Sequence, residues 1–158
     1  MSQMDAQLVQ RTYTTILQHM VDHGWAPHYT QLAHEFSIST EEARLAVKEA
    51  AEFAVGCWTS PGTDQVGSWA PFNNTPTQYL VSVDGERKWF GQCGLEVNAI
   101  HWLFPGQEVK VETRDLATAE IITVRYRDDE ILEITPETTV GHINNPMWKW
   151  GDIPVHDN

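Results

Sequence analysis

Cysteine and positive charge are both scarce in this chain. Its 158 residues hold two cysteines, Cys57 and Cys93, in unrelated contexts, which excludes a disulfide framework and a CxxC metal site. Ten Lys and Arg stand against 22 Asp and Glu, for a formal net charge of −12. So acidic a chain lacks the cations that neutralise phosphates, and no nucleic-acid partner is expected. No run approaches the ~18 consecutive apolar residues of a membrane span. The opening Met1-Ser2-Gln3-Met4-Asp5 has no basic segment leading into an apolar one, as a signal peptide would. The expectation is a cytoplasmic protein in a reducing compartment, without membrane association; the oligomeric state is left open.

What is present is a globular composition. Hydrophobic residues make up 41% and charged residues 20%, enough apolar material to bury a core without covalent staples. Leu8, Ile16, Leu17 and Met20 recur at helical spacing and predict an amphipathic helix over about 7–21, ended by Gly24 and Pro27. Thr30 is placed to cap a short helix through Phe36. Ser39 and Glu42 form a capping-box pattern opening a third helix to about Phe53, with Ala43, Ala46, Val47 and Ala50 inward. Three helices with a short second turn suggest a helix-turn-helix unit, with residues 57–70 as a wing. Its third helix carries Glu41, Glu42, Glu49 and Glu52 against Arg44 and Lys48, a poor face for DNA, so the unit is read as a packing module and not as a transcriptional regulator.

From Gly67 the texture becomes strand-like. Residues 78–83 alternate, Asp84-Gly85 signals a hairpin, and Lys88-Trp89-Phe90 returns. Pro105-Gly106 marks a turn, and runs over 108–113, 120–126 and 130–134 follow. The fold class expected is α+β: an N-terminal three-helix winged-helix-like part, residues 1–66, followed by a small mostly antiparallel sheet wrapped around a central helix, residues 67–158.

The chemistry is expected between Trp89 and Phe104. Cys93 and Glu96 are three residues apart, which on a helix puts both side chains on one face, about 5–6 Å apart at Cβ. A helix N-terminus would favour the Cys93 thiolate, and an apolar pocket would keep Glu96 protonated as a donor. Trp89, Phe90, Trp102 and Phe104 are assigned to that pocket, with Trp148 and Trp150 joining from a late segment. The other reading of Cys93 is a small buried hydrophobe, and of the aromatics, ordinary core. His101 reads as structural, and His19, His23, His28 and His34 as scattered without a metal-binding spacing.

Pro71-Phe72-Asn73-Asn74-Thr75-Pro76-Thr77, the Asp84-Gly85 hairpin, Trp89-Phe90-Gly91-Gln92-Cys93-Gly94-Leu95-Glu96 and Phe104-Pro105-Gly106 together resemble the organomercurial (alkylmercury) lyase family. The resemblance implies a helical, winged-helix-like N-terminal part and a small mixed sheet around the helix bearing the first catalytic cysteine. It implies protonolysis of a carbon–mercury bond, in which a thiolate attacks mercury, an acid protonates the leaving carbon and a second cysteine takes over the metal. Cys93 matches the first cysteine. Glu96 falls where the family has an aspartate, one methylene longer. The segment expected to hold the second cysteine reads Thr139-Val140-Gly141-His142-Ile143-Asn144-Asn145-Pro146-Met147-Trp148, so the chain resembles a divergent member in which His142 takes that place as catalytic group and metal ligand. Cys57 is the other thiol that could stand in. No cofactor is required on this reading; a soft metal, mercury, enters as part of the substrate, and the partner is a small molecule or metal. Two other readings fit the same residues: a non-catalytic module binding a metal or small ligand, and an enzyme using Cys93 and Glu96 on a metal-free electrophile.

Overall fold

The computed structural model describes residues 5–142. Three helices open it: α1 (Ala6–His23), α2 (Tyr29–Phe36) and α3 (Thr40–Phe53). Asp5 caps α1 by accepting the Gln7 N–H, and Gly24, with φ +80°, closes it in the left-handed conformation that a residue without Cβ adopts freely. Its N–H donates to the Met20 carbonyl at 2.8 Å. α2 starts earlier than the Thr30 cap expected from sequence. His28 is the cap, its imidazole accepting the Thr30 N–H while Gln31 reaches back to the His28 N–H. A ring nitrogen lone pair thus does the work normally given to a hydroxyl or carboxylate. The Ser39–Glu42 capping box opens α3 as its spacing implies. Ile16, Met20, Leu32, Ala33, Phe36, Ala43, Val47 and Ala50 are buried together as the helical part of the core.

Eight strands follow: β1 (Cys57–Thr59), β2 (Val66–Trp69), β3 (Phe72–Asn73), β4 (Leu80–Val83), β5 (Glu86–Gly91), β6 (Glu108–Arg114), β7 (Ile121–Arg127) and β8 (Glu130–Thr135). They form one sheet in the order β1-β2-β3-β5-β4-β6-β7-β8, antiparallel at every step. The α+β arrangement read from the sequence is therefore the observed one. The wing hairpin β1-β2 is the end of the main sheet, and β2 straddles the boundary between residues 66 and 67.

Two tryptophans lock α1 against this sheet. Trp69, fully buried, donates its indole N–H to the Tyr13 carbonyl at 3.1 Å. Trp89, also buried, donates to the Met20 and Val21 carbonyls at 2.9 and 3.1 Å. Each ring brings a large apolar area to the interface, and each polar tip finds the acceptor that its burial requires.

Between β5 and β6 the chain forms a 3-10 helix, Glu96–Leu103. Val97, Ile100 and His101 are its buried residues. Val97 sits so close over Gly91 that a Cβ there would lie 2.4 Å from its Cγ2, so the end of β5 has to be glycine. His101 stacks on Tyr126 of β7 with ring centroids 4.9 Å apart, and the Tyr126 hydroxyl reaches Asn98 Oδ1.

Candidate active site

At the end of β5 the Gln92 N–H donates to the Pro71 carbonyl at 3.0 Å, which fixes the exit of the strand just before Cys93. Cys93 precedes the helix instead of occupying its first turn, and the Val97 N–H donates to its carbonyl at 3.0 Å. The thiol and the acid nevertheless meet. Cys93 Sγ donates to Glu96 Oε2 at 3.5 Å and accepts the Glu96 N–H at 3.4 Å. One tight turn therefore carries both groups and orients the sulfur.

Burial pushes the Cys93 thiol above its ordinary range; neighbouring backbone N–H groups oppose this and the Glu96 carboxylate reinforces it. The sequence-based expectation of a thiolate favoured by a helix N-terminus is thus reversed. A 3-10 helix starting beyond the cysteine supplies little dipole, and desolvation outweighs it. Burial also raises Glu96, while its contact with Cys93 pulls the other way. Both groups are biased towards their protonated forms, side by side.

Two of the aromatic residues expected to wall this site, Trp102 and Trp89, are committed elsewhere. Trp102 is 71% exposed, since Val97, Ile100 and His101 are the residues that the 3-10 helix buries. Trp89 is committed to α1 and packs edge-on against Phe104 at 5.1 Å. Phe90 is half-buried in β5, paired with Asn73 and Leu80. Trp148 and Trp150 lie outside the described residues. The cover over the acid comes instead from the N-terminal part. A Cβ on Gly56, φ +82°, would stand 2.8 Å from Glu96 Oε1, 2.8 Å from the Ala70 Cβ and 3.5 Å from Gln92 Oε1. Gln92 Oε1 is itself buried without a hydrogen-bond partner among the described residues.

Tyr13 and Cys57 lie within electrostatic range of the acid. Burial raises the Tyr13 phenol, with the charges of Cys57 and Glu96 adding to it. Burial pushes the Cys57 thiol up to about 11, with Glu96 contributing and a backbone hydrogen bond from Ala70 opposing. Tyr13, Gly56 and Gln92 were not legible as site residues. The only local hint was a glycine beside a cysteine just after a helix. His142 is exposed beyond β8, at the end of the described residues, and no hydrogen bond there joins it to Cys93 or Glu96. Among the described residues, no three or more His, Cys, Asp or Glu side chains are grouped to hold a metal ion. No described helix is long and apolar enough to cross a membrane.

Residues 72–156, more than half of the chain, match the family model for alkylmercury lyase, MerB. The chain belongs to the alkylmercury lyase family. Among solved structures it is similar to the mercury-bound form of MerB2, with a TM-score of 0.63 and 21% sequence identity, over 86% of this chain and 63% of that one. At that identity the likeness is one of fold, and the chain spans less than two thirds of the MerB2 chain. No curated protein gives a match. The family match takes in Cys93, Glu96 and His142 and leaves out Tyr13, Gly56 and Cys57. Gly56, which stands against the acid, thus lies outside the span that carries the alkylmercury lyase signature, whereas Gln92 lies within it.

Proposed function

We propose that this alkylmercury lyase family member cleaves carbon–mercury bonds by protonolysis at Cys93 and Glu96. The observation that carries the reading is the 3.5 Å contact between the Cys93 thiol and the Glu96 carboxyl, in surroundings that favour the protonated acid.

Mercury is soft, and a thiol is the ligand of choice for it in this chain. As the sulfur–mercury bond forms, the thiol proton leaves with the substrate's original counter-ligand, so a raised thiol pKa does not prevent capture: the metal displaces the proton. The Glu96 carboxyl then gives its proton to the carbon. The electron pair of the carbon–mercury bond becomes the new carbon–hydrogen bond, the hydrocarbon leaves, and mercury(II) stays on sulfur beside an ionised Glu96. A carbanion-like leaving group needs an acid within reach at that moment, and one turn of chain supplies it. In this reading His142 of the late segment serves as a second ligand that helps to take mercury off Cys93, an imidazole in place of the family's second thiol.

The test is benzene release from phenylmercury acetate, followed by gas chromatography in the presence of a low-molecular-weight thiol. Wild type should release benzene. Cys93→Ser should neither release it nor hold mercury tightly, and Glu96→Gln should hold mercury while releasing little. Identical behaviour of wild type and Cys93→Ser would overturn the reading. Mercury retention by wild type without benzene would favour a binding module on the same scaffold.

A further inference from the structure

The last turn of α1 brings two imidazoles together, outside the span that matches the family. In sequence His19 and His23 belong to a scatter of histidines, but they lie one helical turn apart, and their ring centroids are 4.3 Å from each other with planes at 53°. His19 Nδ1 lies 2.8 Å from the Trp25 carbonyl oxygen. A carbonyl only accepts, so Nδ1 carries the hydrogen of the neutral ring and Nε2 keeps its lone pair. Orientation of one ring nitrogen by a backbone carbonyl is the arrangement that prepares the other for a metal. The Trp25 ring packs edge-on against His19 at 4.2 Å and lies 5.9 Å from His23, restricting both rings. His23 is exposed and His19 half-buried, so the pair is open to solvent. Asp22, between them in sequence, is occupied by the Gln18 amide at 2.9 Å.

We propose that His19 and His23 form a bidentate surface site for a divalent transition-metal ion of the zinc, nickel or copper class. Two imidazoles one turn apart suit these borderline ions, water fills the remaining coordination positions, and softer mercury stays with sulfur. A net charge of −12 raises the local concentration of any cation. The site has a structural consequence. Met20 and Val21, whose carbonyls hold the Trp89 indole, lie between the two histidines. An ion bridging His19 and His23 staples the turn that anchors β5, the strand leading into Cys93.

The experiment uses the full chain carrying Cys93→Ser, which removes the accessible thiol as a competing ligand, and nickel(II) as the probe. Calorimetric titration should give one site, and Tm should rise with nickel concentration, since an ion that binds only the folded form stabilises it by mass action. Adding His23→Gln, a change at an exposed side chain, should weaken binding by about tenfold or more and abolish the Tm rise. His34→Gln, at an exposed histidine elsewhere, should leave both unchanged. His19→Gln is a second route to the same loss. Nickel binding that survives both His19→Gln and His23→Gln, or no binding by the parent up to about 1 mM, overturns the proposal.

Discussion

Gly56 and Glu96 touch across the join between the helical part and the sheet: a single added carbon on Gly56 would stand 2.8 Å from the acid's Oε1. Gly56→Ala should therefore do two separable things. Its positive φ makes alanine strained there, costing about 1–2 kcal/mol, and the methyl pushes on the proton donor. Gly62, φ +71° with open space around its Cβ position, is the reference, because Gly62→Ala carries the strain without the collision. Urea denaturation should find both variants destabilised, while benzene release should fall by about tenfold or more in Gly56→Ala alone. Equal activity in the two variants would mean that Gly56 does not position the acid.

The raised Glu96 makes a prediction about acidity and stability. A carboxyl whose folded-state pKa lies above its unfolded value binds protons more tightly when folded. Its stabilising contribution is complete below the ordinary carboxylate range and is lost as pH rises through the raised value. In metal-free protein, Glu96→Gln should then be more stable than wild type at pH 8 and should lose that advantage at pH 4. Denaturant midpoints at the two pH values decide it, and a constant difference between the proteins would contradict the assignment.

Thiol reactivity should differ between the two cysteines. Cys57 is buried and raised to about 11, whereas Cys93 is only half-buried. Iodoacetamide at neutral pH should alkylate Cys93 first, as read by peptide mass spectrometry, and leave Cys57 unmodified until the protein unfolds. Faster labelling of Cys57 would refute the placement of both.

The tryptophans are expected to separate by role. Trp89→Phe keeps a ring but removes the indole donor shared by the Met20 and Val21 carbonyls, the Met20 carbonyl keeping the Gly24 N–H, and should cost about 0.5–1.5 kcal/mol in urea unfolding. Trp102→Ala, at a largely exposed position, should change stability by less than about 0.5 kcal/mol and leave benzene release as it was. A large activity loss in Trp102→Ala would restore it to the pocket.

Local signals explain what was readable beforehand. The Ser39–Glu42 box and the Asp84-Gly85 hairpin are written within a few residues, and the structure follows them, whereas the alternation expected over residues 78–83 gives way to three consecutive buried residues, Val81, Ser82 and Val83, because β4 lies inside the sheet between β5 and β6. The Cys93–Glu96 pairing was legible for the same reason, since one turn of chain brings the two side chains together. What covers that pair was not. Gly56 meets Glu96, and Tyr13 comes within range of its charge, only because the helical part is docked through Trp69 and Trp89 onto a sheet whose strand order is not sequential. The aromatic residues beside Cys93 looked like its natural surroundings, yet the pleat and the 3-10 turn send Trp89 towards α1 and Trp102 towards water. His28 as a helix cap went unseen because imidazole rarely fills that role.

The unbroken ladder from β1 to β8 has a practical consequence for anyone shortening this protein. A fragment cut at residue 72 would retain the whole alkylmercury lyase signature and yet lose β1, β2 and the glycine roof above the carboxyl. The indole of Trp89 would be stripped of its acceptors. Such a piece would display the right letters around a carboxyl stripped of the backbone that Gly56 lays against it, so any shortened version should keep the helical part.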